Sequence, residues 1–128
     1  MKKKILITGG AGFIGSHIAE RFDRENHEII IVDNLVGGKK ENISHLKNVK
    51  FYETDIRDRK NLEKIFEENK GINYVFHEAA QVSVSVSVEN VHYDADENVL
   101  GLINVLDMCR KYNTEKILFA GTAAAYGI

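Results

Sequence analysis

Proline and tryptophan are absent from all 128 residues, and cysteine occurs once, at Cys109. A chain of ordinary usage, about 5% proline, would carry about six, and chance alone leaves none roughly once in a thousand such chains. The absence points either to deliberate removal or to a strong composition bias. A single cysteine excludes an internal disulfide and any cysteine-built zinc cluster. Cys109 falls on the apolar stripe of a predicted helix and is read as a small core residue. The histidines are scattered without a His-x-x-x-His pair, so no metal site is expected. No stretch approaches the roughly 20 apolar residues of a membrane span. The apolar run after Lys2-Lys3-Lys4 ends at Ile7, too short for a secretory leader. The net charge of −2 supplies no basic field for nucleic acid. With 44% hydrophobic and 28% charged residues the composition is globular, and a soluble, cytoplasmic, single domain spanning residues 1–128 is expected.

What is present alternates short β-rich runs with helical ones. Lys4–Thr8 is near-continuous in apolar residues, as a strand buried on both faces must be. Ile14, Ile18 and Phe22 recur every four residues and predict a helix over Phe13–Arg24 with one apolar face. Glu28–Asp33 is a second strand, 34–48 a loop with a weak helical segment, and 50–53 a short third strand. Asp58 suits the N-cap of a helix that turns Leu62, Ile65 and Phe66 inward and ends at Gly71. Residues 72–77 form strand four. A long helix carries Val99, Leu102, Ile103, Leu106 and Cys109 on one stripe, and 116–121 form strand five. Strands separated by crossover helices predict an α/β fold, a Rossmann-type doubly wound parallel sheet in the order 3-2-1-4-5. Residues 82–88 alternate valine and serine, a strand by periodicity, yet their position between a strand and a helix argues for a loop.

The informative motif is Thr8-Gly9-Gly10-Ala11-Gly12-Phe13-Ile14-Gly15, which closes the first strand and opens the first helix. That context is the one a dinucleotide fingerprint requires. Gly9 allows the sharp turn, Gly12 lets the backbone approach a pyrophosphate, and Gly15 permits close helix–strand packing. The helix N-terminus then offers unpaired N–H groups to phosphate. Asp33 follows 18 residues after Gly15 at the end of the second strand, placed to accept hydrogen bonds from the adenosine ribose. A carboxylate there repels a 2′-phosphate and no arginine follows directly, so NAD is expected rather than NADP.

Further along come Val32-Asp33-Asn34-Leu35, Thr54-Asp55-Ile56-Arg57-Asp58 and His77-Glu78-Ala79-Ala80. In this order the chain resembles the extended short-chain dehydrogenase/reductase family, on its NAD-dependent epimerase/dehydratase branch of the UDP-glucose 4-epimerase kind. The resemblance covers essentially all of this chain, but only the N-terminal NAD-binding part of a full-length member. It implies that Phe13 and Ile14 lie along the pyrophosphate through their backbones, and that Asp33 and Asn34 hold the adenosine ribose. Asp55 and Ile56 would contact the adenine, Ala79 and Ala80 would pass under the nicotinamide-side ribose, and Asn98 would help order the site. Asp55 suits equally a turn cap, and Asn98 a satisfied polar group on a helix.

At the catalytic end the family carries a Ser or Thr after strand five and, downstream, a Tyr-x-x-x-Lys pair. The Ser/Thr position matches Thr122, although Ala120, Gly121 and Ala125 replace residues usual around it. The sequence ends at Ile128 without a downstream pair, while Tyr112-x-x-x-Lys116 precedes Thr122 and spans a helix end and a strand start. The resemblance therefore implies a truncated chain that binds NAD without turning over UDP-glucose. Two other classes remain open, a non-catalytic NAD-sensing module and an engineered folding-model domain. Strand five should be an exposed edge bearing Ile117, Leu118 and Phe119, and self-association, for instance a homodimer, is expected through that edge or the long helix.

Overall fold

The computed structural model describes residues 2–79 and 99–119. Within them five strands and three helices alternate: β1 (Lys4–Thr8), α1 (Phe13–Arg24), β2 (Glu28–Asp33), β3 (Val49–Glu53), α2 (Arg59–Glu68), β4 (Tyr74–His77), α3 (Gly101–Lys111) and β5 (Lys116–Phe119). The sheet order is β3-β2-β1-β4-β5. Every neighbouring pair is parallel, with Thr8 in register with Val32 on one side and His77 on the other. The doubly wound sheet deduced from the alternation of elements is thus present in the deduced order.

Strand composition follows from two-sided burial. Ile5 and Ile7 of β1, with Ile29 and Ile31 of β2, enter one core beneath α1, where Ala11, Ala19 and Ile43 join them. Leu6, Ile30, Val32 and Val75 enter the other core, against Leu62, Ile65 and Phe66 of α2 and Val105, Met108 and Cys109 of α3. Alternate residues of one apolar run therefore serve opposite layers, which is why β1 and β2 show no polar alternation. Cys109 is buried as expected, and burial pushes its thiol up to about 11. Asp58 caps α2 by accepting the Asn61 N–H at 3.2 Å. Asp23 joins α1 to the approach of β3 by accepting the N–H groups of Asn48 and Lys47.

Several details depart from the sequence reading. In α1 the buried positions are Gly15, Ser16 and Ala19, while Ile14 is 55% exposed; small residues face the sheet because this helix lies close against it. In α3 the inward residues are Gly101, Asn104, Val105, Met108 and Cys109, whereas Ile103 and Leu106, and Val99 just ahead of the helix, are exposed. Close approach rather than hydrophobicity selects the inward face: a Cβ on Gly101 would sit 2.4 Å from Ile56 Cδ1. The weak helical segment after β2 is only a 3-10 turn, Lys40–Asn42. Helix α2 ends at Glu68 with Asn69 as C-cap, before the positive-φ Gly71. On β5, Leu118 and Phe119 are exposed as expected, while Ile117 packs against the α2/α3 core. Ala80, Asn98, Thr122 and the Val/Ser alternation at 82–88 lie outside the described residues.

Candidate cofactor site

The order of the strands reverses direction between β1 and β4, and the C-terminal ends of those two strands flank the switch point where open α/β sheets bind ligands. The glycine turn leaves β1 there. Gly9 adopts φ +70° and donates its N–H to the Val32 carbonyl at 2.7 Å. A Cβ on Gly9 would approach the Glu78 carbonyl group and Ala79 N to within 3 Å, so the end of β4 passes directly against the turn. A Cβ on Gly15 would lie 2.3 Å from Gly9 O, which no side chain tolerates. Gly12 differs from both: among the described residues an added Cβ would meet only Gly9 O, at 3.3 Å. Among the described residues, packing therefore scarcely requires glycine at position 12.

Helix α1 begins at that point without a side-chain N-cap and without an acidic residue in its first turn. Phe13 is 78% exposed and Ile14 is also open, so the first two residues of the helix are uncovered among the described residues. An uncapped N-terminus carries free N–H donors and the positive end of the helix dipole, which favours an anion.

Asp33, only 6% exposed, fixes the turn from the end of β2. Its Oδ2 accepts the Ala11 N–H at 2.9 Å and its Oδ1 accepts the Leu35 N–H at 2.7 Å. The Ala11 carbonyl is in turn held by Lys39 N at 3.0 Å and Asn42 Nδ2 at 2.8 Å. Ala11 is therefore tied to the segment after β2 through both its N–H and its carbonyl. Gly38 belongs to this packing, since a Cβ there would reach Ala11 C at 2.7 Å and Asp33 Oδ2 at 2.9 Å. Among the described residues each Asp33 side-chain oxygen has one donor, and a carboxylate offers about four acceptor positions, so acceptor capacity remains. Asn34 accepts the Val36 N–H at 3.0 Å, and Leu35 is held at φ +65° between these two turns.

Asp55, after β3, grips Arg57, with Oδ2 2.9 Å from Nη2 and Oδ1 2.9 Å from the backbone N. The Arg57 side chain, then its backbone and charge, together with the Asn34 side chain, hold the Asp55 carboxyl below its usual range against the opposing effect of burial. Asn34 and Asp55 are thereby brought together at the ends of β2 and β3. Ile56 turns its side chain into the core, and its carbonyl accepts Asn104 Nδ2 at 2.9 Å. Ala79 follows β4 and donates its N–H to the Thr8 hydroxyl at 3.2 Å.

Three contributors escaped the sequence reading. Thr8, fully buried, links its hydroxyl to His77 Nδ1 at 2.8 Å and accepts from the Glu78 and Ala79 amides. Asn104 ties α3 to the Ile56 and Arg57 carbonyls, and Asn42 clamps Ala11. The available signal was a polar residue closing an otherwise apolar strand, as in Thr8 and His77. Tyr112 is remote from the switch point, at the C-terminal end of α3, where its hydroxyl donates to Glu67 at 2.7 Å and the Glu67 carboxylate pushes it up to about 12. Lys116 opens β5 opposite Tyr74, at the other end of the sheet from the glycine turn.

Residues 5–128 match the NAD dependent epimerase/dehydratase family. A Methanocaldococcus jannaschii protein, named provisionally as a UDP-glucose 4-epimerase, is 51% identical over 124 residues, which cover 96% of this chain and 39% of that protein. The solved UDP-glucose 4-epimerase of Thermus thermophilus, in complex with NAD, is 46% identical with a TM-score of 0.85, over 93% of this chain and 37% of its own. That of Thermotoga maritima, with UDP-glucose, is 43% identical with a TM-score of 0.87, over 93% of this chain and 38% of its own. The chain thus spans about two-fifths of the length of the relatives it matches. Fold order, glycine turn and Asp33 agree with this match over nearly the whole chain, which belongs to the NAD dependent epimerase/dehydratase family.

Proposed function

We propose that the chain is an NAD-binding Rossmann domain, occupying residues 1–128, of a nucleotide-sugar epimerase. The observation that carries this reading is the contrast within the glycine turn. Gly9 and Gly15 are required by the fold, whereas Gly12 leaves room beside an uncapped helix N-terminus. That room suits a pyrophosphate approached by the backbone N–H groups of Phe13 and Ile14. Asp33 supplies the remaining acceptor positions for the adenosine ribose, with Asn34 beside it. Asp55 and the Ile56 backbone flank the adenine, and Ala79, followed by Ala80, runs beneath the second ribose. Asn98 orders the same region from ahead of α3. The buried carboxylate of Asp33 disfavours a 2′-phosphate, so the cofactor is NAD rather than NADP.

When bound, NAD supplies the hydride-accepting nicotinamide that lets a sugar alcohol be oxidised and reduced again. In the complete enzyme Thr122 stands beside the reacting sugar, a UDP-hexose inverted at C4. The single Tyr-x-x-x-Lys match within these residues, Tyr112 to Lys116, is engaged at the opposite end of the sheet and moves no substrate proton. The 128 residues alone therefore bind cofactor without epimerising sugar. The exposed face of α3 and the open edge of β5 are where a second copy associates, and sedimentation across a concentration series reads this directly.

Thermal unfolding with NAD, NADP and ADP-ribose tests the reading. A ligand at a hundred times its dissociation constant adds about 2.7 kcal/mol of stability. Stabilisation by NAD and ADP-ribose with little from NADP is expected. No stabilisation at millimolar NAD overturns the cofactor assignment, and steady conversion of UDP-glucose to UDP-galactose by this chain overturns its inactivity.

A further inference from the structure

The carbonyl of buried Ala11 stands directly ahead of Gly12, the N-cap of α1, yet among the described residues it accepts from neither the helix nor the glycine turn. Helix α1 opens with the Ser16 N–H donating to Gly12 O at 2.9 Å. One step earlier in the same i→i−4 pattern, the Gly15 N–H would donate to Ala11 O. Instead Ala11 O accepts Lys39 N at 3.0 Å and Asn42 Nδ2 at 2.8 Å, so two donors meet its two lone pairs. A trans peptide points its N–H opposite to its carbonyl, and the N–H of this same peptide, on Gly12, donates to Gly9 O at 3.1 Å. The plane between Ala11 and Gly12 is thus fixed from both sides.

The 3-10 turn Lys40–Asn42 makes the double hold possible. Asn42 N donates to Lys39 O at 2.9 Å, which folds the chain back until the Lys39 backbone and the Asn42 side chain reach one oxygen. Ile43, buried beneath α1, anchors the turn, and Gly38 lets the segment pass so close that a Cβ there would lie 2.9 Å from Ala11 O. An unbound oxygen at this point would have two outlets, both adverse to an anion. It would accept from an N–H of the first helical turn and remove a donor, or it would stand towards the anion as a like partial charge. We infer that Asn42 is a positioning residue for the cofactor's diphosphate: by holding the Ala11 carbonyl towards the segment after β2, it keeps the first N–H groups of α1 free for phosphate. Asn42 is itself exposed, so removing its side chain costs the fold little.

The inference rests on the proposed cofactor reading and deepens it. Titrating ADP and adenosine into the 128-residue chain separates phosphate from nucleoside recognition. Asn42→Ala should weaken ADP and NAD about tenfold and adenosine less than about twofold. In the labelled chain the same substitution should move the Ala11 carbonyl carbon resonance upfield, as loss of a hydrogen bond to that oxygen requires. Asn42→Asp keeps the shape but exchanges the donor for an acceptor. In molar salt, which screens its added charge, it should lose ADP as Asn42→Ala does. Unchanged ADP affinity in Asn42→Ala, equal losses of ADP and adenosine, or an Ala11 resonance indifferent to the substitution overturns the inference and leaves the cofactor reading standing. Undiminished ADP affinity in Asn42→Asp makes size rather than donation the relevant property, and overturns it equally. A native chain that binds neither ADP nor NAD overturns the cofactor reading itself, and the inference with it.

Discussion

The two flanks of the switch point are finished to different degrees. On the β2 side, Ala11 is held at both its N–H and its carbonyl, Asp33 is shared between two turns, and Gly38 is packed against them. On the β5 side, apolar side chains look outward: Ile103 is 48% exposed, Phe119 is 53% exposed, and Val99, Leu100, Leu106 and Leu118 accompany them. In the proposed reading the tied flank serves the adenosine-diphosphate half of the dinucleotide, while the other flank presents surface of the kind that interfaces cover. A binding site built on a parallel sheet need not be completed by the same stretch of chain that begins it.

The sharpest way to break this comparison is at the glycines of the tied flank. Gly15→Ala places a Cβ 2.3 Å from Gly9 O and is expected to destabilise by about 3 kcal/mol, read from denaturant unfolding. Gly12→Ala, meeting only one atom at 3.3 Å, should change stability by less than about 1 kcal/mol yet abolish the gain in stability from NAD. Equal losses from the two would mean that no ligand room had been set aside. Next in size is Asp33→Ala, which strands the buried Ala11 N–H and should cost about 2 kcal/mol. Asp33→Asn is the milder control, since one amide oxygen can still accept.

A pH titration follows, with its sign set by linkage. His77 has a folded pKa below the ordinary 6.5, so its contribution is complete above 6.5 and is lost as pH falls from there towards the depressed value. Glu78 acts oppositely: its raised pKa makes its contribution complete below 4.5 and lost as pH rises through the raised value. Urea unfolding of native and His77→Gln chains across this range separates the two, and a native stability flat between 6.5 and the acid limb would contradict the His77 contribution. On the open flank effects on stability should be smallest. Leu106→Lys is expected to shift the unfolding free energy by less than about 0.5 kcal/mol while altering sedimentation if α3 pairs with a second copy.

Most of the fold was legible in the sequence because strand runs buried on both faces have a distinctive composition, and because a glycine turn between strand and helix has few other uses. The stripe of α3 misled. Its most apolar residues face outward, and its inward face includes Asn104, whose side chain satisfies two backbone carbonyls that an aliphatic residue would have left unpaired. Ile14 misled for a related reason, since a helix pressed against a glycine turn directs its smallest residues inward. Thr8 and His77 could not be paired from the sequence, because their contact depends on strand register between residues 69 positions apart.

The double hold on Ala11 also sets a timetable for synthesis. A nascent chain contains the whole glycine motif once Gly15 has been added, but Asp33, Lys39 and Asn42 must emerge before Ala11 has its partners. The turn is thus encoded early and closed late. A ribosome paused before Asn42 would display a motif complete in letters and still open in shape, and a crosslinking or protease probe of stalled chains should see it close over a few added residues.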